Sequence, residues 1–137
     1  MKNLRYADLS DIIAGRETSV GLHVLELVGG ALSESRYLRS VDWSENALGP
    51  RGIRVLAQFF KKCGSRLQSL TFNDDGLSAE ACKNLADLLL EGQSTLDFRK
   101  LHFFNNMSGP GGAQAIARIV SASHHLEDFR LSSTRCT

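Results

Sequence analysis

Five polar side chains recur at one position of a repeating pattern: Asp11, Glu45, Asp74, Asn105 and Ser133, with Arg16 and Arg135 close by. Carboxylates accept hydrogen bonds, an amide both donates and accepts, and arginine offers a planar fork of donors to an anion. Such a column can recognise and position a partner, or it can simply be a solvated face. Standard covalent machinery is missing. His102 is a candidate general base, but no recognised motif sets a serine or cysteine nucleophile beside it. His124 and His125 fall at the end of a helix, where cations suit the dipole. Gly109, Gly111 and Gly112 lack the lysine and the spacing of a phosphate-cradling loop. Gly49 and Gly52 occupy equivalent places, so loop geometry explains all five. No metal and no cofactor is expected.

The elements that carry this column repeat. Apolar residues stand at positions 0, 3 and 5 of a unit, with asparagine or a substitute at position 8. The pattern fits Leu38, Val41, Trp43 and Asn46; Leu67, Leu70, Phe72 and Asp75; and Phe98, Leu101, Phe103 and Asn106. Leu126, Phe129, Leu131 and Thr134 begin another unit, and Leu4, Ala7, Leu9 and Ile12 are a weaker opening copy. Unit starts at 4, 38, 67, 98 and 126 are the mark of a leucine-rich repeat solenoid. Between strands, Ile53, Leu56, Ala57 and Phe60 have the spacing of one buried helix face. Leu85–Ala86 and Ile116–Ala117 match Leu56–Ala57. Pro50 and Pro110 suit a first helical turn, where a missing N–H costs little. The pattern predicts parallel strands near 5–9, 40–43, 69–72, 100–103 and 128–131, each earlier one followed by a helix. The position-8 side chains are expected to bond loop backbone and to stack as a ladder. Positions 2, 4 and 6 face the concave side, as with Ser40, Asp42 and Ser44 or Lys100, His102 and Phe104.

Composition bounds the rest. The chain has 137 residues, 42% of them apolar, and a formal net charge of +1. Near-neutral charge gives no reason to expect nucleic acid or an anionic membrane surface. No stretch approaches the roughly 18 consecutive apolar residues of a membrane span, and residues near Met1 lack a signal peptide's apolar core. Cys63, Cys82 and Cys136 share no metal spacing and read as reduced intracellular thiols, two of them on helices. Residues 1–137 are read as one leucine-rich repeat domain of four to five repeats. Both ends are expected to be uncapped, as in a fragment of a longer repeat array.

Runs outside the apolar scaffold are more specific. They are DLSDIIAGR at 8–16, SENALG at 44–49, DDGLS at 74–78, FNNMSG at 104–109, LEDFR at 126–130 and SSTR at 132–135. In order and in register, they resemble segments of Ran GTPase-activating proteins, the plant-type members above all. The resemblance implies an α/β fold of ribonuclease-inhibitor-like repeats, a right-handed βα superhelix forming part of a horseshoe. It implies a GTPase activator that docks on GTP-bound Ran in nucleocytoplasmic transport. Such a protein holds Ran's own catalytic glutamine in place, with no arginine finger and no covalent chemistry of its own. The implied location is the cytoplasm, the perinuclear zone or the nuclear envelope. The family's acidic tail and targeting domain have no counterpart in these residues, which weakens steering toward a basic partner.

Residue by residue, Arg16 matches the family's important arginine after the glycine; the alternative is that it pairs with a carboxylate such as Asp11. Asp74 takes the place of the family's assisting rim asparagine. An ionised carboxylate only accepts, whereas the amide also donates, so Asp74 is the main departure. Asn73 stands one residue earlier, but a one-residue shift turns a side chain to the other face. The partner-binding candidates are Asp11, Glu45, Asn73, Asn105, Arg130 and Arg135. Two other readings remain: a non-catalytic interaction scaffold of the same lineage, and another ribonuclease-inhibitor-type repeat protein.

Overall fold

The computed structural model describes residues 3–13 and 17–133. Its order is β1 (Tyr6–Asp8), α1 (Thr18–Leu32), β2 (Ser40–Asp42), α2 (Gly49–Val55), α3 (Ala57–Cys63), β3 (Ser69–Thr71), α4 (Ala79–Leu90), β4 (Lys100–Asn106), α5 (Gly109–Ala122) and β5 (Asp128–Ser133). The strands form one sheet in chain order, and every neighbouring pair is parallel. A parallel neighbour cannot be reached by a hairpin, so each connection crosses back through helix. The expected strands all form. Position 3 of each unit lies beside position 3 of the next: Ala7 against Val41, Val41 against Leu70, Leu70 against Leu101, and Leu101 against Phe129.

Positions 0, 3 and 5 of the three middle units make the core. Leu38, Val41, Trp43, Leu67, Leu70, Phe72, Phe98, Leu101 and Phe103 are all buried, with Leu85 in the same cluster. An aromatic chain crosses the repeats: Trp43 meets Phe59 edge-on at 5.6 Å, Phe60 lies 6.0 Å from Phe72, and Phe72 stacks on Phe103 at 5.8 Å. These centroid separations suit attractive ring geometry. In the last unit, Phe129 and Leu131 are 40% and 38% exposed.

The helices depart from the sequence pattern in two places. The stripe through Ile53, Leu56, Ala57 and Phe60 is split at Leu56, whose φ of −93° and ψ of 10° divide α2 from α3. The Leu56 N–H is shared between the carbonyls of Gly52 and Ile53. That tightening brings positions three apart onto one face, so Ile53, Leu56 and Phe59 are all buried and Ala57 is only half-buried. In α5 Ala115 and Ala122 are buried, whereas Ala117 faces outward. Pro50 and Pro110 do sit in first turns. Cys63 and Cys82 are free and buried on α3 and α4. Burial pushes the Cys63 thiol up, and that of Cys82 up to about 11, so neither is a ready nucleophile. Among the described residues no helix is long and apolar enough to cross a membrane.

Candidate functional site

The chain passes through a left-handed residue at position 7 of each of the first four units, just past β1, β2 and β3 and within the irregular end of β4. Asp11 has φ 56°, Glu45 60°, Asp74 57° and Asn105 60°. Non-glycine residues seldom adopt this conformation; aspartate and asparagine do so most readily, which makes Glu45 the least expected member. Continuation of the sheet ladder holds it. The N–H of Asp11 donates to Ser44 O at 2.9 Å, that of Glu45 to Asn73 O at 2.8 Å, and that of Asp74 to Phe104 O at 3.0 Å. All four side chains are exposed. They stand in a row, one per strand, roughly 4.8 Å apart.

Position 8 forms the ladder beneath this rim. Asn46 Oδ1 accepts from the N–H groups of Ile12 (2.8 Å) and Ile13 (3.2 Å), while its Nδ2 donates to the carbonyls of Leu9 and Trp43, both at 2.8 Å. Asn106 repeats the arrangement two units on. Its Oδ1 accepts from Asp75 N–H (3.0 Å) and Leu77 N–H (3.2 Å), and its Nδ2 donates to Phe72 O (2.6 Å). Between them stands Asp75, fully buried, whose Oδ1 accepts the Asn46 N–H at 2.7 Å.

Position 6 links the repeats a second time. Ser44 Oγ accepts from Asn73 N–H at 2.9 Å, Asn73 Oδ1 from Phe104 N–H at 2.9 Å, and Ser132 Oγ from Asn105 N–H at 2.8 Å. Asn73 is therefore half-buried and engaged in cross-repeat structure, so it does not stand in for Asp74 at the rim. Asp74 has its own partner, because Asn105 Nδ2 donates to Asp74 Oδ1. Four of the five expected rim residues line up as a row. The side chain of the fifth, Ser133, lies outside the described residues, as do Arg16, Thr134, Arg135 and Cys136.

The concave face divides by charge. Asp8 accepts from the hydroxyl and the N–H of Ser10, which hold its carboxyl below the usual range. Asp42 accepts from Ser44 N–H at 2.9 Å. On the other side His102 Nε2 lies 3.0 Å from Asp128 Oδ1, and Arg130 Nε lies 3.7 Å from the same oxygen. The His102 contact, then Arg130 and Lys100, keep Asp128 ionised to lower pH than usual. His102 thus lies against a carboxylate, although its Nε2 completes no hydrogen bond, and Arg130 stands exposed beside it. His124 and His125 lie just past the end of α5 and are exposed. Phe104 is 51% exposed and Met107 48%, flanking Asn105 and giving the rim an apolar element. The sequence signal for it was a phenylalanine in a column otherwise filled by Ser10, Ser44, Asn73 and Ser132.

No protein-family model matches the chain. It is 32% identical over 107 residues to the ribonuclease inhibitor of Sus scrofa, a match covering 77% of this chain and 23% of that protein. It is 44% identical over 54 residues to RAN GTPase-activating protein 1 of Arabidopsis thaliana, covering 39% of this chain and 10% of that protein. The chain therefore spans less than a quarter of the length of either relative. Among solved structures, Leiomodin-1 Actin-Binding Site 2 superposes with a TM-score of 0.66 at 12% identity, over 93% of this chain and 70% of that one. That likeness concerns the fold alone. The five parallel units and the match to the ribonuclease inhibitor agree: this chain is built from leucine-rich repeats of the ribonuclease-inhibitor-like kind.

Proposed function

We propose that this repeat segment is the GTPase-facing part of a Ran GTPase activator, docking GTP-bound Ran through the rim row. The observation that carries the reading is the row itself. Asp11, Glu45, Asp74 and Asn105 share one left-handed conformation and project from a hydrogen-bonded edge. A rigid edge of this kind suits positioning, because its groups need no reorganisation when a partner arrives. The partial similarity to the RAN GTPase-activating protein of Arabidopsis thaliana supports the choice of partner. In this reading Arg16 and Arg135 contribute positive charge, Arg130 contacts the partner from the concave face, and Ran supplies the reacting groups.

One observation favours a second reading, a non-catalytic scaffold. Asp74 can only accept when ionised, and one of its oxygens already takes a bond from Asn105. Single-turnover GTP hydrolysis by Ran, with and without this chain, separates the two when Ran binding is measured in parallel. Acceleration supports the activator. Binding with an unchanged rate supports the scaffold, and no binding removes Ran from both readings.

A further inference from the structure

Asp75 occupies the rung that asparagine fills on either side. Asn46 and Asn106 each present an accepting oxygen to backbone N–H groups and a donating nitrogen to backbone carbonyls. Asp75 supplies the first half: its Oδ1 accepts from Asn46 N–H. Its Oδ2 is buried and has no hydrogen-bond partner. By repeat equivalence, Oδ2 stands where Asn46 and Asn106 carry the amide nitrogen, which donates to the position-5 carbonyls of Leu9, Trp43 and Phe72. Carbonyl oxygens repel a carboxylate but accept from a carboxylic acid.

The charged groups around Asp75 point the same way. Asp42 on β2, Glu45 in the loop after β2, and Asp74 in its own loop are all carboxylates. The β4 side offers the neutral rung Asn106. An ionised, unsatisfied oxygen there would carry the full desolvation cost.

We propose that Asp75 is a carboxylic acid in the folded protein, donating through Oδ2 as an asparagine would, and that losing this proton loosens the rim loop presenting Asp74. Burial first, then the neighbouring carboxylates, push its titration up to about 8, against the lowering pull of the Asn46 N–H. The inference stands on the ladder and holds whichever partner the rim takes.

The sign follows from linkage. A carboxyl whose folded value is raised binds a proton in the fold that the unfolded chain has released. Its stabilising effect is complete below the ordinary value of 3.8 and is lost as pH rises toward about 8. The test compares urea unfolding of wild type and Asp75→Asn across that window. The folding constant of wild type relative to the variant should fall about tenfold per pH unit, then level off. Titrating the side-chain carboxyl carbon of Asp75 by NMR in the folded wild type provides the second measurement, and decides the matter if the variant does not fold. Its signal should be that of an acid at pH values near 6. The backbone signals of Asp74 and Gly76 should move with the same midpoint, and stay still in Asp75→Asn. A constant ratio of folding constants, or a carboxylate signal near pH 6, would overturn the proposal.

Discussion

Asp74→Asn should raise the rate at which Ran hydrolyses bound GTP in the presence of this chain, by on the order of a hundredfold. The change keeps the side-chain size, and asparagine tolerates the left-handed φ of 57° at this position. The new Oδ1 can still accept from Asn105 Nδ2, which leaves the amide donor free to face the partner. Wild-type Asp74 offers only acceptors and a negative charge, which is repelled by a γ-phosphate more strongly once water is excluded. Restoring one oriented donor at a transition state is worth about 3 kcal/mol, which sets the size of the effect. Single-turnover hydrolysis is the measurement. Arg16→Ala should abolish the gain, and Ser40→Ala on the concave side should leave it intact. A flat rate for Asp74→Asn, with Ran binding demonstrated, would show that the catalytic part of the reading is wrong.

Phe72→Ala should cost about 3–5 kcal/mol of folding stability, the usual range for emptying a buried aromatic site. Phe72 is fully buried, stacks on Phe103 at 5.8 Å and lies 6.0 Å from Phe60. It touches the aromatic side chains of the units on both flanks, so no single neighbour can collapse into the space. Phe104→Ala is the matched comparison, because that ring is 51% exposed. Its loss should cost within about 0.5 kcal/mol, as for a typical surface substitution. Urea midpoints for the two variants check the contrast. Equal losses would mean that Phe72 is not buried in the core as described.

The strands were legible because a period of two leaves a direct mark on residue type. Val41, Leu70 and Leu101 announce both their face and their register. The helix break at Leu56 left no such mark, since leucine suits a regular turn and a tightened one equally. The rim column was visible as polar residues, but its backbone conformation was not, because Glu45 carries no local preference for positive φ. Asn73 looked like a spare amide until the structure bonded its oxygen to the N–H of Phe104. Asp75 read as a substitute for asparagine, which it is in position. Its unpartnered second oxygen emerges only when the neighbouring rungs are in place.

The ladder also divides the chain into parts that can and cannot change length. Successive unit starts differ by 34, 29, 31 and 28 residues, yet the interval from position 0 to position 8 never varies. Asn46 must meet Ile12 in the unit before it while its N–H meets Asp75 in the unit after it. One residue inserted between 43 and 46 would move that rung out of step with both neighbours at once. The exposed stretch 91–95, on the way from helix to strand, carries no rung. The length differences between units of this chain accordingly fall in the helical return. The rim can keep the pitch of its side chains while the outer face of the protein drifts in size.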